Sequence, residues 1–140
     1  MLSKTGIHAL TALSSLSNLP NGTYVGAAEV AAGIGAPPNY LGKLLKTLAD
    51  AGIVESQKGK NGGFRLARSP ASISLLDVVE PIEHVSRWSR CIMGRPQCSD
   101  QDACAVHGRW KEVRDVYLRF LRETTIADLA ARTAAIPCAT

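Results

Sequence analysis

The stretch from Val25 to Ala67 constrains this chain more than any other part, because few folds accommodate its order of signals. Val25–Gly33 (VGAAEVAAG) is short, Ala-rich and reads as a helix that stops at Gly33. Gly35, Ala36 and Pro37 make a turn. Pro38 or Asn39 then opens a second helix running to about Ala51, with Gly52 as its natural stop. The stripe of Leu41, Leu44, Leu45 and Leu48 gives that helix a core-facing side. Ile53–Ser56 and Phe64–Ala67 are β-like runs, and KGKNGG at Lys58–Gly63 is the turn of a hairpin between them. A short helix, a tight turn, a second helix and a hairpin with a basic, glycine-rich tip follow in the order of a winged helix-turn-helix.

The flanking sequence completes the reading. Ser3–Leu16 places Ile7, Leu10, Leu13 and Leu16 at helical spacing behind Ser3 as N-cap, and Ser17–Tyr24 is a loop. Ser72–Glu83 gives Ile73, Leu76, Val79 and Ile82, with Pro81 kinking or ending the helix. From about Gly108 to Thr124, Trp110, Val113, Tyr117, Phe120 and Leu121 form an apolar stripe on a long helix otherwise covered by charge. A two-fold operator needs a two-fold protein, so this stripe is the expected dimer interface. Thr125–Ala131 reads as one more short helix. The fold class is mainly α with a small β-hairpin: a winged helix-turn-helix plus a long C-terminal dimerisation helix. Five segments follow: a DNA-binding region at 1–70, a connecting helix at 71–90, a cysteine loop at 91–107, the dimerisation and terminal helices at 108–132, and a tail at 133–140.

At 140 residues and 46% hydrophobic, the chain can bury a core, and its 5% aromatic content argues against a large all-β domain. It contains no run of eighteen apolar residues and no signal-peptide pattern, so a cytoplasmic protein without a membrane span is expected. Residues 1–70 carry seven Lys or Arg against three Asp or Glu, whereas residues 71–140 carry nine of each. The whole excess of positive charge therefore lies in the half that contains the hairpin, which suits a polyanion partner.

In helix-turn-helix proteins the start of the second helix meets base edges in the major groove. Here Asn39, Tyr40 and Lys43 occupy that start, with Lys46 further along. Asn reads adenine, Lys reads guanine or a phosphate, and Tyr reaches a phosphate. Lys58, Lys60 and Asn61 offer contacts at the hairpin tip, and Lys4 lies by the first helix. Double-stranded DNA is the expected partner, at a pseudo-palindromic operator. No carboxylate pair, nucleophile triad or phosphate loop stands out, so no enzyme is expected, and KGKNGG is not a Walker motif.

Three of the four cysteines share one window, Cys91-IMGRPQ-Cys98-SDQDA-Cys104-AV-His107. Cytoplasmic proteins seldom use structural disulfides, so such a cluster points to metal or redox chemistry. Structural zinc favours tighter C-x2-4-C knuckles, whereas irregular loop thiolates with one imidazole suit an iron–sulfur cluster. Spacing favours an iron–sulfur cluster, with zinc, a bare thiol sensor or inert cysteines as the alternatives. If the long helix has begun by Cys104, that residue and His107 share one face and chelate together.

With these motifs in place the chain resembles the Rrf-two family of bacterial winged-helix regulators, including the IscR, NsrR and RirA types. The resemblance runs from Leu2 to about Leu129. It rests on SKTGIHAL, PPNYLGKLLKTLADAGIVES, KGKNGGFRLA, SISLLDVV and the cysteine loop ending CAVHGRW. It implies a homodimeric transcriptional regulator, with repression as the expected action. An iron–sulfur cluster, 2Fe–2S in preference to 4Fe–4S, would set its operator affinity in response to iron, redox state or nitric oxide. It also implies that Asn39, Tyr40 and Lys43 touch bases or backbone and that Lys58 is the wing's minor-groove residue. By the same resemblance Cys91, Cys98 and Cys104 are the cluster thiolates and His107 the fourth ligand. His8, where an NsrR-type protein uses a carboxylate from the partner subunit, is the alternative fourth ligand. His107 is favoured by its shorter closure loop. The sequence departs from the pattern in three places: a first cysteine interval of six residues instead of five, Gly42 in place of an acidic base-reading residue, and Cys138 without a counterpart. The runner-up is the same fold acting as a metal-free thiol sensor. A zinc-stabilised DNA-binding protein or an electron carrier stands behind it.

Overall fold

The computed structural model describes residues 2–85, 91–95, 100–101 and 103–133. Helix α1 (Lys4–Ser17) begins at Ser3, whose hydroxyl accepts from the Gly6 amide as an N-cap. Helix α2 (Ala27–Ile34) ends at Gly35, which takes the left-handed conformation at φ 72°. Pro37 and Pro38 then start α3 (Pro38–Asp50) with proline at its first position. A hairpin of β1 (Val54–Gln57) and β2 (Gly63–Leu66) follows, paired antiparallel with Val54 opposite Leu66 and Gln57 opposite Gly63. A 3-10 turn (Pro70–Ser72) leads to α4 (Leu75–Glu83), closed at its N-terminus by a capping box between Ser74 and Asp77. Helices α5 (His107–Glu123) and α6 (Ile126–Thr133) end the described chain.

This is the mainly helical fold with one small antiparallel hairpin that the sequence predicts, and it differs in detail. Val25 is not helical: it bridges Phe64, its amide donating to Phe64 O at 2.9 Å and its carbonyl accepting from Phe64 N at 2.8 Å. The segment before α2 thus lies along β2 as a one-residue third strand. Pro81 does not end α4. The helix runs on to Glu83 and stops at His84, which caps it in the left-handed conformation at φ 51°.

One core serves every element. Leu10, Leu13 and Leu16 of α1 share it with Leu41, Leu44, Leu45 and Leu48 of α3, Val30 of α2, Ile53 and Val54 at the hairpin root and Val78 and Val79 of α4. Tyr117 and Leu121 of α5 and Ile126 of α6 enter the same core. The end of α5 is fixed to the start of α4 by backbone bonds, Leu75 N to Thr124 O at 2.9 Å and Ile126 N to Ile73 O at 2.9 Å. A further tie joins α1 to α4. Glu83 Oε1 accepts from the Ser3 amide at 2.6 Å and from the Ser3 hydroxyl. The carboxylate occupies the space that a side chain on Gly6 would need.

Two glycines are therefore structural. At Gly63, φ is +139° and a Cβ would strike the Val25 carbonyl, which is immobile backbone. Gly63→Ala should cost at least about 2 kcal/mol and break the Val25–Phe64 bridge, read as a lower midpoint in chemical denaturation. Gly6 faces a side chain instead. Glu83→Ala should lower stability by about 1 kcal/mol in the parent chain, and should cost nothing further once Gly6→Ala has displaced the carboxylate. The four unfolding curves of that cycle check it.

Candidate functional site

The leucine side of α3 is fully or nearly fully buried, so its opposite side is fixed outward. That outer side carries Asn39, Lys43, Lys46, Thr47 and Asp50, all exposed and spaced to lie along one face. Thr47 was not anticipated as a surface residue of this face, and its hydroxyl is turned back onto the Lys43 carbonyl at 3.1 Å. Gly42 is half-buried against α2, where a Cβ would meet Ala27 in ordinary contact, so packing does not require glycine there.

Tyr40 differs from its neighbours. It is half-buried, its hydroxyl lies 3.1 Å from His8 Nδ1, and the two rings meet edge-on with centroids 5.5 Å apart. His8 thus points to α3 of its own chain. Lys4 is exposed in the first turn of α1.

At the wing tip Lys58, Gly59, Lys60 and Asn61 are all exposed. Gly59 and Asn61 both take positive φ, at 92° and 66°, which turns the chain back within the five residues between Gln57 and Gly63. The wing root is braced by Arg65. Its guanidinium bonds Glu55 at 2.8 Å and lies 4.5 Å from the centre of the Tyr24 ring, and the Glu55 contact raises its already high pKa. Glycine spacing locates such a tip in sequence, but the brace depends on cross-strand pairing of Glu55 with Arg65.

The cysteine segment joins α4 to α5. Cys91 is buried and Cys104 half-buried, and their sulfurs stand 3.7 Å apart. The Met93 amide holds the Cys91 thiol below the ordinary cysteine range, helped by the Arg95 amide, the Cys104 thiol and the Arg95 charge, while burial opposes them. Cys98 and Cys138 lie outside the described residues. His107 is buried at the first position of α5, and its Nε2 lies 2.7 Å from Asp100 Oδ1. Asp100 also reaches Lys111 at 3.3 Å, and His107 and then Lys111 hold its carboxyl below the usual carboxylate range. Because α5 begins only at His107, Cys104 precedes the helix, and the shared helical face expected for the pair does not exist. Among the described residues, no group of three or more His, Cys, Asp or Glu side chains converges on a metal position.

The stripe on α5 divides in two. Leu121 is fully buried and Tyr117 nearly so, both within the core of their own chain, so Leu121 has no surface left to offer a partner. Burial, then the charge of Glu83, raises the Tyr117 pKa. Trp110 is half-buried. Val113 and Phe120 stay more than half exposed together with Val116, which sequence reading had passed over. No helix among the described residues is long and apolar enough to cross a membrane.

Comparison with known proteins places this geometry. The Rrf2 family, described as iron-dependent transcriptional regulators, matches residues 2–132. An HTH-type transcriptional regulator of Aquifex aeolicus is 33% identical over 131 residues, covering 92% of this chain and 90% of that protein. The HTH-type regulator IscR of Escherichia coli is 27% identical over 128 residues, covering 91% of this chain and 78% of that one. The structure of CymR, the global cysteine regulator of B. subtilis, superposes with a TM-score of 0.78 at 25% identity, covering 95% of this chain and 98% of that chain. A winged helix-turn-helix closed on one core, matched along nearly its whole length by these regulators, makes this chain a member of the Rrf2 family of transcriptional regulators rather than an enzyme.

Proposed function

We propose that this protein is a homodimeric repressor, acting in the cytoplasm, whose affinity for a pseudo-palindromic DNA operator is set by an iron–sulfur cluster held in the cysteine segment. One observation carries the cluster: the 3.7 Å between Cys91 and Cys104 sulfurs. Two thiolates bound at about 2.3 Å to one tetrahedral metal ion stand about 3.8 Å apart, so the pair fits a single iron. Cys91, Cys98 and Cys104 would hold the cluster. His107 is the fourth ligand we favour, with Asp100 as the carboxylate that orients such an imidazole. When bound, a cluster of this kind, 2Fe–2S in preference to 4Fe–4S, supplies electron transfer and a target for oxidants or nitric oxide. Zinc fits the same sulfur spacing and is the weaker reading, because the loop lacks close-set knuckles.

DNA is met by Asn39, Tyr40, Lys43 and Lys46 on α3, by Lys58, Lys60 and Asn61 on the wing, and by Lys4 on α1. Exposure of all these side chains but the half-buried Tyr40, on the basic half of the chain, supports the assignment. The exposed Val113, Val116 and Phe120 form an apolar patch of the sort that marks a partner surface, and a second copy of α5 would cover it. The boundaries 1–70, 71–90, 91–107 and 108–132 then divide DNA contact, connection, sensing and dimerisation.

The sulfur pair also favours a second reading, in which Cys91 and Cys104 act as a metal-free thiol switch. Iron and sulfide analysis of anaerobically purified protein separates the two. Under the cluster reading the protein carries both elements and absorbs in the visible range, Cys104→Ser loses most of each, and loaded and stripped forms differ at least tenfold in operator affinity. Protein without iron whose DNA affinity responds to peroxide, and ceases to respond in Cys104→Ser, establishes the second reading instead.

The DNA face has its own test. Lys58→Ala should weaken binding evenly across sequences and lower the salt slope by about one unit, because a lysine on the wing acts mainly through charge. Asn39→Ala should instead relax preference at one base pair by about 1–3 kcal/mol. Binding titrations on single-base variants of the operator at several salt concentrations would show it, and equal loss of specificity from both substitutions would refute the division of roles.

A further inference from the structure

We infer that His8 is a positioning residue for DNA recognition: it holds Tyr40 in one orientation before the operator arrives. The inference rests on the DNA interface proposed above and goes one step further inward. His8 sits on α1, away from the turn and the recognition helix, and reaches Tyr40 through two contacts at once. Its Nδ1 lies 3.1 Å from the phenol oxygen, and its ring meets the Tyr40 ring edge-on, the planes 72° apart. A hydrogen bond fixes distance and direction, and an edge-on contact fixes ring rotation, so together they leave Tyr40 one setting.

The helices beneath the pair are held as well. Gly6, Ala9 and Leu10 around His8 are buried, as are Leu41 and Leu44 beyond Tyr40. Tyr40 is the third residue of α3, in the turn that helix-turn-helix proteins direct at DNA. Asn39 and Lys43 beside it are exposed, whereas Tyr40 is half-buried. A side chain already ordered loses less freedom on binding, which is worth about three- to tenfold in affinity for one ring. The phenol oxygen has a protein partner in the free chain, so Tyr40 offers DNA an aromatic ring of fixed orientation rather than a mobile hydroxyl.

The test uses the full-length protein and two probes at one fixed salt concentration: a duplex selected by the wild type from a random pool, and a scrambled duplex of equal length. His8→Ala and Tyr40→Phe should each weaken binding to the selected duplex about three- to tenfold and leave the scrambled duplex within about twofold. The double variant should bind as His8→Ala does, because that substitution already removes both the bond and the ring contact. His8→Asn, whose amide can restore a partner near the Nδ1 position, should recover most of the affinity. Unchanged affinity in His8→Ala, additive losses in the double variant, or equal loss on both duplexes overturns the inference while leaving the DNA-binding reading in place. Wild-type protein that binds neither duplex overturns both.

Discussion

Burial of the leucine face of α3 in the common core is the constraint on which the rest of this structure depends. Leu41, Leu45 and Leu48 are entirely removed from solvent, and Leu44 nearly so, in a core they share with Leu10, Leu13 and Leu16. Each such side chain stabilises the fold by about 1.5–3 kcal/mol relative to exposure, before the entropy of ordering it is set against this. A helix buried on one side has no rotational freedom left, so the same burial dictates that Asn39, Lys43 and Lys46 face solvent. The surface proposed to face DNA is the reverse side of the core.

Helix α1 is more than a floor for that core. Its N-terminus is held by Glu83, the last residue of α4, from which the chain departs toward the cysteines. One turn later His8 touches the recognition helix. A short helix therefore has one end bonded to the element that leads into the sulfur pair and its next turn against Tyr40. Neither tie relies on a hydrophobic stripe; both are made by single polar side chains across helices. Such contacts are directional, and small shifts break them, whereas apolar packing tolerates sliding.

That difference decides what sequence reading could recover. The leucine stripe, the Gly35–Pro37 turn and the KGKNGG tip are local patterns, and each fell within a residue or two of its place. Val25 was assigned to a helix because a one-residue bridge to Phe64 leaves no alternation to detect. On α5 the pattern located the helix but merged two faces. Tyr117 and Leu121, four apart, turn to the chain's own core, while Val113, Val116 and Phe120 turn outward along the adjacent ridge. Periodicity reports that a side chain is apolar, not which molecule covers it. The cysteine spacing identified the sulfur residues, yet the start of α5 at His107 and the partners Asp100 and Glu83 follow from tertiary placement alone.

The same distinction explains how the cysteine segment is mounted. Helices α4 and α5 run antiparallel, joined at one end by backbone bonds of Ile73 and Leu75 to Ile126 and Thr124. Cys91 follows α4 and Cys104 precedes α5, so the sulfur pair sits at the other end. The bonded end is backbone to backbone, adjoins the fully buried Ile73, Leu121 and Ile126, and is the rigid end. At the sulfur end, among the described residues, side chains meet: Cys91 with Cys104, and Asp100 with His107 and Lys111. Helix α5 spans 17 residues, about 25 Å at 1.5 Å per residue, against nine for α4. Under the proposed reading, chemistry at the sulfurs would reach the exposed Val113, Val116 and Phe120 through α5, the helix that follows Cys104 and carries all three.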